Sequence, residues 1–575
     1  MTEKPKYSWN RRRFLTVSAL GGVTAIAGCG GKSTTGDGSG GAGTSDGGNT
    51  NTNSGSDDGN GNSNAKKGGT FVNVAPEQAT TLDPRMNELA WANGMMHYLF
   101  DGLLAMKPDG SELVPHLAKE LPKQQDDTTF TVPLKEGVKF HNGAELTADD
   151  VEYSFSWVLD SDNKSTNQEN LSFVDSVEKS GDMEVTFNLK HPYALFEQTL
   201  AGMNAAIVPK KYASDKGQKK FSRKPVGTGP FKLKNWQAGS SLTLERFDDY
   251  FIDAPNLKQL KYRVIPESDT AFFELASGGV QQASVPEKLL GNAQSKKNLK
   301  IKRISQFDYN GLIFNAKHEP FDNRKVREAM QYLVDYDAML KVTKGELGKR
   351  TYGYMPTEVN KAWDFPWQEW KKKYFPKKDH DKAKQLLKEA GYGDGFEVDL
   401  PTAASGKFKN MAIMLQNEME NVGIKANVRE ITIGQWLDLL DNGKYDVTFY
   451  GWSGGQDPDG FFYYLFRDPQ NDDSPVPDDY VGNASAGMLY QAYPDSKKLQ
   501  DADAKIRKAR TLQDRDKRRK LYIDIAETFQ SEYPHIQVYS EQSATAWNTS
   551  VKDYDPTAYV AQPLCNEWSN SWLSN

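Results

Sequence analysis

The 575-residue sequence has little of what metal and redox chemistry uses, with two cysteines and seven histidines in the whole chain. So few soft ligands leave little from which to build a zinc or cluster site, and no metal or cofactor is expected. Charge of one sign is also lacking. The formal net charge is -6, with 71 Lys and Arg against 77 Asp and Glu, so no basic surface predicts a nucleic-acid partner. Long apolar runs are missing too: Val17 to Ala27 is too short to cross a bilayer comfortably. The nucleophile elbow, the zinc-binding histidine pair, the dinucleotide fingerprint and the phosphate-binding loop are all absent as motifs. Gly227-Thr228-Gly229 is a poor phosphate cradle, because Pro230 has no amide hydrogen and the chain continues as strand rather than helix.

What is present begins at the N-terminus. Arg11, Arg12 and Arg13 precede Phe14-Leu15 and the short apolar run, a pattern that resembles a twin-arginine export signal. Ile26-Ala27-Gly28-Cys29 resembles a lipobox, which implies cleavage before Cys29 and a lipid on its thiol. From Gly31 to about Lys67 the composition falls to Gly, Ser, Thr, Asn and Asp. Such a stretch has nothing to bury and reads as a tether, spanning roughly 30–37 Å root-mean-square. With Cys29 lipidated, Cys565 has no partner and no intrachain disulfide is expected.

The remainder alternates strand and helix signals, which argues an α/β fold. Thr128 to Pro133 alternates as a strand, and Thr147 with Asp150 forms a capping box ahead of a helix through Phe155 and Leu159. Phe321 to Arg324 opens an amphipathic helix to about Leu340, with Asp322 or Asn323 as its cap. Lys210 to Lys224 reads as a solvated loop. The aromatic cluster Trp363 to Phe375 reads as lobe core ahead of ligand surface, and His141 reads as structural ahead of catalytic. The tail from Cys565 to Ser574, with Trp568 and Trp572, reads as packed against a formed lobe.

One stretch stands apart. Tyr445 to Ser453 reads as a strand, and it runs into a turn made of Gly454, Gly455, Asp457, Pro458, Asp459 and Gly460. A strand that ends in glycines leaves backbone groups free and presents Trp452 as an exposed aromatic, the make-up of a ligand cleft. An ordinary surface turn is the alternative. Asp457 and Asp459 lie two apart, a spacing common in turns and poor for a carboxylate pair flanking a substrate.

Several of these stretches together resemble the extracytoplasmic solute-binding proteins of ABC importers, in the large oligopeptide/dipeptide-type group, family 5. They are Thr81-Leu82-Asp83-Pro84; Leu134 to Val151; Pro225 to Phe231; Phe314-Asn315 with Pro320 to Ala329; Gly423-Ile424; and Gly451 to Asp459. The resemblance covers about residues 69–545. It implies a two-lobed fold of the periplasmic-binding-protein type II, large cluster, hinged between lobes and carrying an extra inserted domain. The implied organisation is a signal peptide at 1–28 and the lipidated tether at 29–68. Lobe I comprises 69–112, 228–312 and 530–575, with the inserted domain at 113–227 and lobe II at 313–529. Chain crossings are expected near Tyr309 to Asn315 and Pro534 to Tyr539.

The resemblance further implies that a ligand backbone pairs with Gly451, Trp452 and Ser453 on one lobe and with Glu88, Leu89 and Ala90 on the other. Gly455 stands where peptide binders of the family keep an aspartate for the ligand ammonium, and Asp457 and Asp459 are the nearest acidic substitutes. No arginine for a ligand carboxylate is evident between Pro401 and Lys409. The implied function is binding of a solute, a peptide first and an oligosaccharide as the alternative, with delivery to an ABC permease and its ATPase subunits. Presentation of ligand to a membrane sensor and extracellular hydrolysis are further alternatives. The expected protein is a non-enzymatic monomer, exported and held by lipid on the outer face of the cytoplasmic membrane.

Overall fold

The computed structural model describes residues 65–404, 406–467, 497–559 and 562–574. The expected export signal at Arg11 and Arg12, the lipid site at Cys29 and most of the tether lie outside the described residues. Among those described, no helix is long and apolar enough to cross a membrane.

The strand Thr70–Ala75 pairs in parallel with Gln259–Val264, which pairs in turn with Ser241–Arg246 and then Phe231–Gln237. Alternation places Phe71, Leu242, Leu244 and Leu260 on its buried face. A second four-stranded sheet is ordered Lys123–Gln124, Thr129–Pro133, Glu184–Leu189, Val174–Gly181. The helix Ala148–Leu159 covers it, and Phe130, Val132, Phe155 and Phe187 fill the space between them. The Asp150 carboxylate accepts from the Thr147 N–H at 2.9 Å, the reciprocal half of the expected capping box.

The largest sheet is organised by one long strand, His535–Asn548. Its first half pairs with Asp308–Phe314 and Gly348–Arg350. Its second half pairs with Leu299–Ser305 and Gln282–Val285. The partners change between Glu541, opposite Gly348, and Gln542, opposite Ser305. Leu299–Ser305 and Asp308–Phe314 are consecutive, so only Gln306 and Phe307 join the two halves on that side. Gly311 is required here, because a Cβ would lie 2.1 Å from the Ile536 carbonyl oxygen.

Beyond this sheet, Phe396–Ala403 pairs in parallel with Ile424–Ile431 under the helix Gly406–Glu420. The core on this side joins Met330, Met411, Leu415, Phe449, Phe461 and Ile525. Trp363, Phe365, Trp370 and Tyr374 belong to it, as core rather than ligand surface.

Two expectations change. The helix from Asn323 is two helices, Arg324–Gln331 and Tyr336–Thr343. Asp335 caps the second by accepting from the Ala338 N–H at 3.0 Å, which competes with continuation of the first. Lys210 to Lys224 is not a loop but the short helices Lys210–Lys216 and Gln218–Phe221, pinned by buried Ala213 and Phe221. His141 is structural as expected: Nε2 bonds the Gly229 carbonyl at 2.9 Å, and Nδ1 accepts from the Gly227 N–H at 3.2 Å. Gly227 and Gly229 pack against the backbone of Leu99, not around an anion.

Candidate ligand cleft

Val447–Ser453 is the outermost strand in the order of the largest sheet. It runs antiparallel to Asp308–Phe314, with Gly451 opposite Asn310, Trp452 opposite Tyr309 and Ser453 opposite Asp308. Its outer edge at Gly451 is therefore available to an added strand. A Cβ on Gly451 would lie 2.7 Å from Asn310 Oδ1, so a side chain there would displace the Asn310 carboxamide.

An ionic network surrounds this edge. Lys407 Nζ donates to Asn310 Oδ1 at 2.9 Å and to Glu541 Oε1 at 2.7 Å, and Lys344 holds the other Glu541 oxygen at 2.8 Å. Burial opposes ionisation of Glu541, but Lys407 and Lys344 outweigh it and hold the carboxyl below its usual range. Asp308 accepts from the Glu541 N–H at 2.9 Å. Burial, reinforced by the Glu541 charge, pushes Asp308 up to about 7. Lys407 supplies a cation in the segment where only an arginine had been sought. It follows a glycine in Ser405-Gly406-Lys407, and nothing local marks it as pointing to the strand edge.

The turn after this strand differs from the expectation of an exposed aromatic. Trp452 is buried, its indole N–H donating to the Gly460 carbonyl at 2.8 Å and its ring stacked on Tyr450. The turn closes tightly enough that a Cβ on Gly460 would overlap the Gly454 oxygen, and this brings the acceptor under the indole. Ser453 Oγ donates to the Phe307 carbonyl at 3.2 Å. Asp457 is buried and held by Arg518 at 2.6 and 3.0 Å, while its Oδ1 also accepts from the Asp459 N–H. Asp459 is buried 3.6 Å from Arg510, and desolvation raises its pKa. Gly455 is the turn residue that does face open space. Its φ is +77°, and a Cβ there would meet nothing within 4 Å.

Of the three residues expected on the other lobe, Glu88 is exposed, and Ala90 opens the helix Ala90–Met96. Leu89 is committed internally: its N–H donates to Asn87 Oδ1, and its carbonyl accepts from Asn93 N–H and Asn87 Nδ2. Of the three, Leu89 has the least backbone to offer a ligand.

A cavity of about 510 Å³ adjoins the turn after this strand. Gly455 and Gln456 line it from the turn, Gln306 and Phe307 from the crossing, and Asn93 and His97 from within and just past the helix Ala90–Met96. Its floor is a buried charge relay. His116 Nε2 bonds Asp101 Oδ1 at 2.9 Å, and Nδ1 bonds Glu567 Oε1 at 3.0 Å. Thr228 Oγ1 donates to the second Asp101 oxygen at 2.8 Å. Burial disfavours the imidazolium, yet the Asp101 charge and both carboxylate hydrogen bonds outweigh it and push His116 up to about 9. His97, without such a partner, is driven down to about 4 by burial and is neutral near pH 7. Asp101, His116 and Glu567 were not singled out in the sequence, where they are scattered over hundreds of positions.

An α/β chain whose two parts share one strand pair and enclose a lined cavity is a two-lobed binding protein. The chain belongs to the bacterial extracellular solute-binding proteins, family 5, whose middle-region model matches residues 112–474. It is 30% identical over 464 residues to the oligopeptide-binding protein AppA of Bacillus subtilis (strain 168), covering 76% of this chain and 80% of that one. Its fold is that of HbpA2 from Haemophilus parasuis, with a TM-score of 0.77, 22% identity and coverage of 88% and 100% of the two chains. The solved structure of Bacillus subtilis AppA in complex with a nonapeptide superposes with a TM-score of 0.61 at 25% identity, covering 89% and 100%.

Proposed function

We propose that the chain binds a peptide between its lobes and delivers it to an ABC-type membrane permease. The observation that carries this reading is the outermost strand at Gly451, unpaired on its outer side among the described residues, with the Lys407 ammonium bonded to Asn310 opposite it and a 510 Å³ cavity lined by the turn that follows. An extended backbone added to that edge gains main-chain hydrogen bonds whatever its side chains, and Lys407 offers a carboxylate partner. The oligopeptide-binding relative supports the same ligand class. Glu88 and Ala90 supply the facing wall, and Gly455 leaves room at one end. Lobe movement pivots on Gln306-Phe307 and on the Glu541-Gln542 step. These lie a few residues from the crossings expected from sequence, within lobes bounded at 69–112, 228–312, 313–529 and 530–575 and an inserted domain at 113–227.

The test is native mass spectrometry of ligand copurifying with the protein. A peptide mass is expected, and a recovered hexose oligomer would overturn the assignment. Carbohydrate is the second reading, because the cavity is rich in carboxamides (Asn93, Gln198, Gln306, Gln456 and Asn566) and Trp568 stands at its wall 38% exposed. Hydrolysis is disfavoured, since Asp457 and Asp459 are each engaged by a buried arginine.

The protein acts outside the cytoplasmic membrane, anchored through lipid on Cys29 after twin-arginine export, as a monomer. Replacement of Cys29 by serine is expected to move it from the membrane fraction to the soluble fraction, and retention in the membrane fraction would refute the anchor.

A further inference from the structure

The short helices Lys210–Lys216 and Gln218–Phe221, with the turn that follows them, carry charge opposite to that of the whole chain. From Lys210 to Lys224 there are seven Lys and Arg against the single acid Asp215, in a protein of net charge -6. Asp215 pairs with Lys211 at 3.0 Å, and Lys210 shares Asp149 of the helix Ala148–Leu159 with Lys179. Lys216, Lys219, Lys220, Arg223 and Lys224 are exposed and have no carboxylate partner among the described residues. Like charges set this close repel one another, and an anionic partner relieves that repulsion. The backbone beneath them is fixed. Ala213 and Phe221 are buried, the Tyr212 hydroxyl donates to the Lys224 carbonyl at 3.0 Å, and the Ser222 carbonyl accepts from the Leu82 N–H at 3.0 Å.

The patch also lies near the point where the chain enters the fold. The Arg223 guanidinium sits 4.2 Å over the ring of Trp236, on the edge strand Phe231–Gln237. In the sheet Trp236 is opposite Leu242, Leu242 opposite Tyr262, and Tyr262 opposite Asn73 of the first strand, three residues past Thr70. Three strand spacings across and three residues along separate Trp236 from Thr70, roughly 17 Å at ~4.8 Å per strand and ~3.3 Å per residue. The tether read from Gly31 to about Lys67 spans roughly 30–37 Å, so a lipid on Cys29 and this patch can meet one membrane surface together. An acidic protein would have to find the patch by diffusion, whereas the anchor keeps the bilayer within its reach.

We propose that Lys216, Lys219, Lys220, Arg223 and Lys224 form a docking surface for the anionic headgroups of the membrane, which seats the tethered protein on the bilayer in one orientation. The lipid supplies attachment, and the patch decides which side of the protein faces the membrane. The inference rests on the proposed anchor at Cys29, and it is tested without the lipid so that the two readings fail separately.

The experiment is co-sedimentation of the full chain carrying Cys29→Ser with two kinds of vesicle, pure phosphatidylcholine and an equimolar mixture of phosphatidylglycerol and phosphatidylcholine. Binding to the anionic vesicles alone is expected at low ionic strength, with release at about 0.5 M salt, where screening confines charge attraction to a few ångströms. Lys216→Gln, Lys219→Gln, Lys220→Gln and Lys224→Gln together should weaken that binding several hundredfold, about fivefold per lysine, without lowering the melting temperature. The comparison variant carries Lys372→Gln, Lys384→Gln, Lys388→Gln and Lys520→Gln. It makes the same change in net charge at exposed sites on the helices Trp367–Tyr374, His380–Glu389 and Arg515–Glu532, and it should bind as the parent does. Equal binding to both kinds of vesicle, unchanged binding after the patch substitutions, or an equal loss in the comparison variant each overturns the inference. Absence of vesicle binding also overturns it and would turn the search toward an acidic protein partner. Retention of the Cys29→Ser chain in the cell membrane fraction after a high-salt wash refutes the anchor alone, and the vesicle measurements still decide the patch.

Discussion

Asp457 and Asp459 sit in one turn, two positions apart, and meet different fates from the ligand-facing role that sequence suggested for both. Asp457 closes a buried bidentate pair with Arg518. Asp459 lies farther from its arginine, and one of its oxygens is buried without a hydrogen bond. Removing one member of a buried ion pair leaves the other charge desolvated and unpaired, which costs about 3–5 kcal/mol. Asp457→Ala is therefore expected to lose stability on that scale in urea denaturation, while the fraction that folds keeps its ligand affinity. A ligand-binding role would give the opposite split, with affinity lost and the denaturation midpoint unchanged. The two outcomes distinguish a residue that supports the loop from one that touches ligand.

At the scale of the element, the strand Val447–Ser453 and its turn were legible as a unit, and the orientation of Trp452 was not. Period-two patterning reveals that a strand exists, but this strand is buried on both faces as far as Tyr450. Which face Trp452 joins is fixed by the Gly460 carbonyl, eight residues away and brought close by a turn that only glycines allow. Truncating a buried tryptophan costs about 3–5 kcal/mol, so Trp452→Ala is expected to lower the melting temperature markedly. Affinity measured by calorimetry on the surviving folded protein should fall less than stability does. Unchanged melting with abolished binding would return the indole to the ligand surface. The same reasoning explains why the capping box at Thr147 was readable and the break after Gln331 was not. The first is a three-residue pattern with one solution. The second depends on Asp335 capping a new helix where apolar periodicity continues through Leu333 and Val334.

For the whole molecule, the family motifs made the two-lobed fold legible because they mark turns, caps and strand ends whose order is the topology. The cavity was not legible, because its floor joins Asp101, His116 and Glu567 through contacts between the two ends of the chain. Asp101, His116 and Glu567 lie outside the chain between Phe307 and Glu541 and the Gly455 turn lies inside it, so on the proposed lobe division a ligand spanning the cavity biases the angle between lobes. The strand pairings on either side of Gln306-Phe307 and Glu541-Gln542 resist that motion, as do the bonds from the Ala194 N–H to the Arg510 carbonyl at 2.8 Å and from Gln513 Nε2 to the Tyr193 carbonyl at 2.6 Å. Ligand that binds the closed arrangement stabilises it by about 2.7 kcal/mol at a concentration one hundred times Kd. Protein stripped of ligand and then saturated with a bound peptide is expected to show a smaller radius of gyration by solution X-ray scattering, together with a higher melting temperature. A rise in melting temperature at constant radius would mean that peptide is held without lobe closure, and a hinge at these two crossings would have to be abandoned.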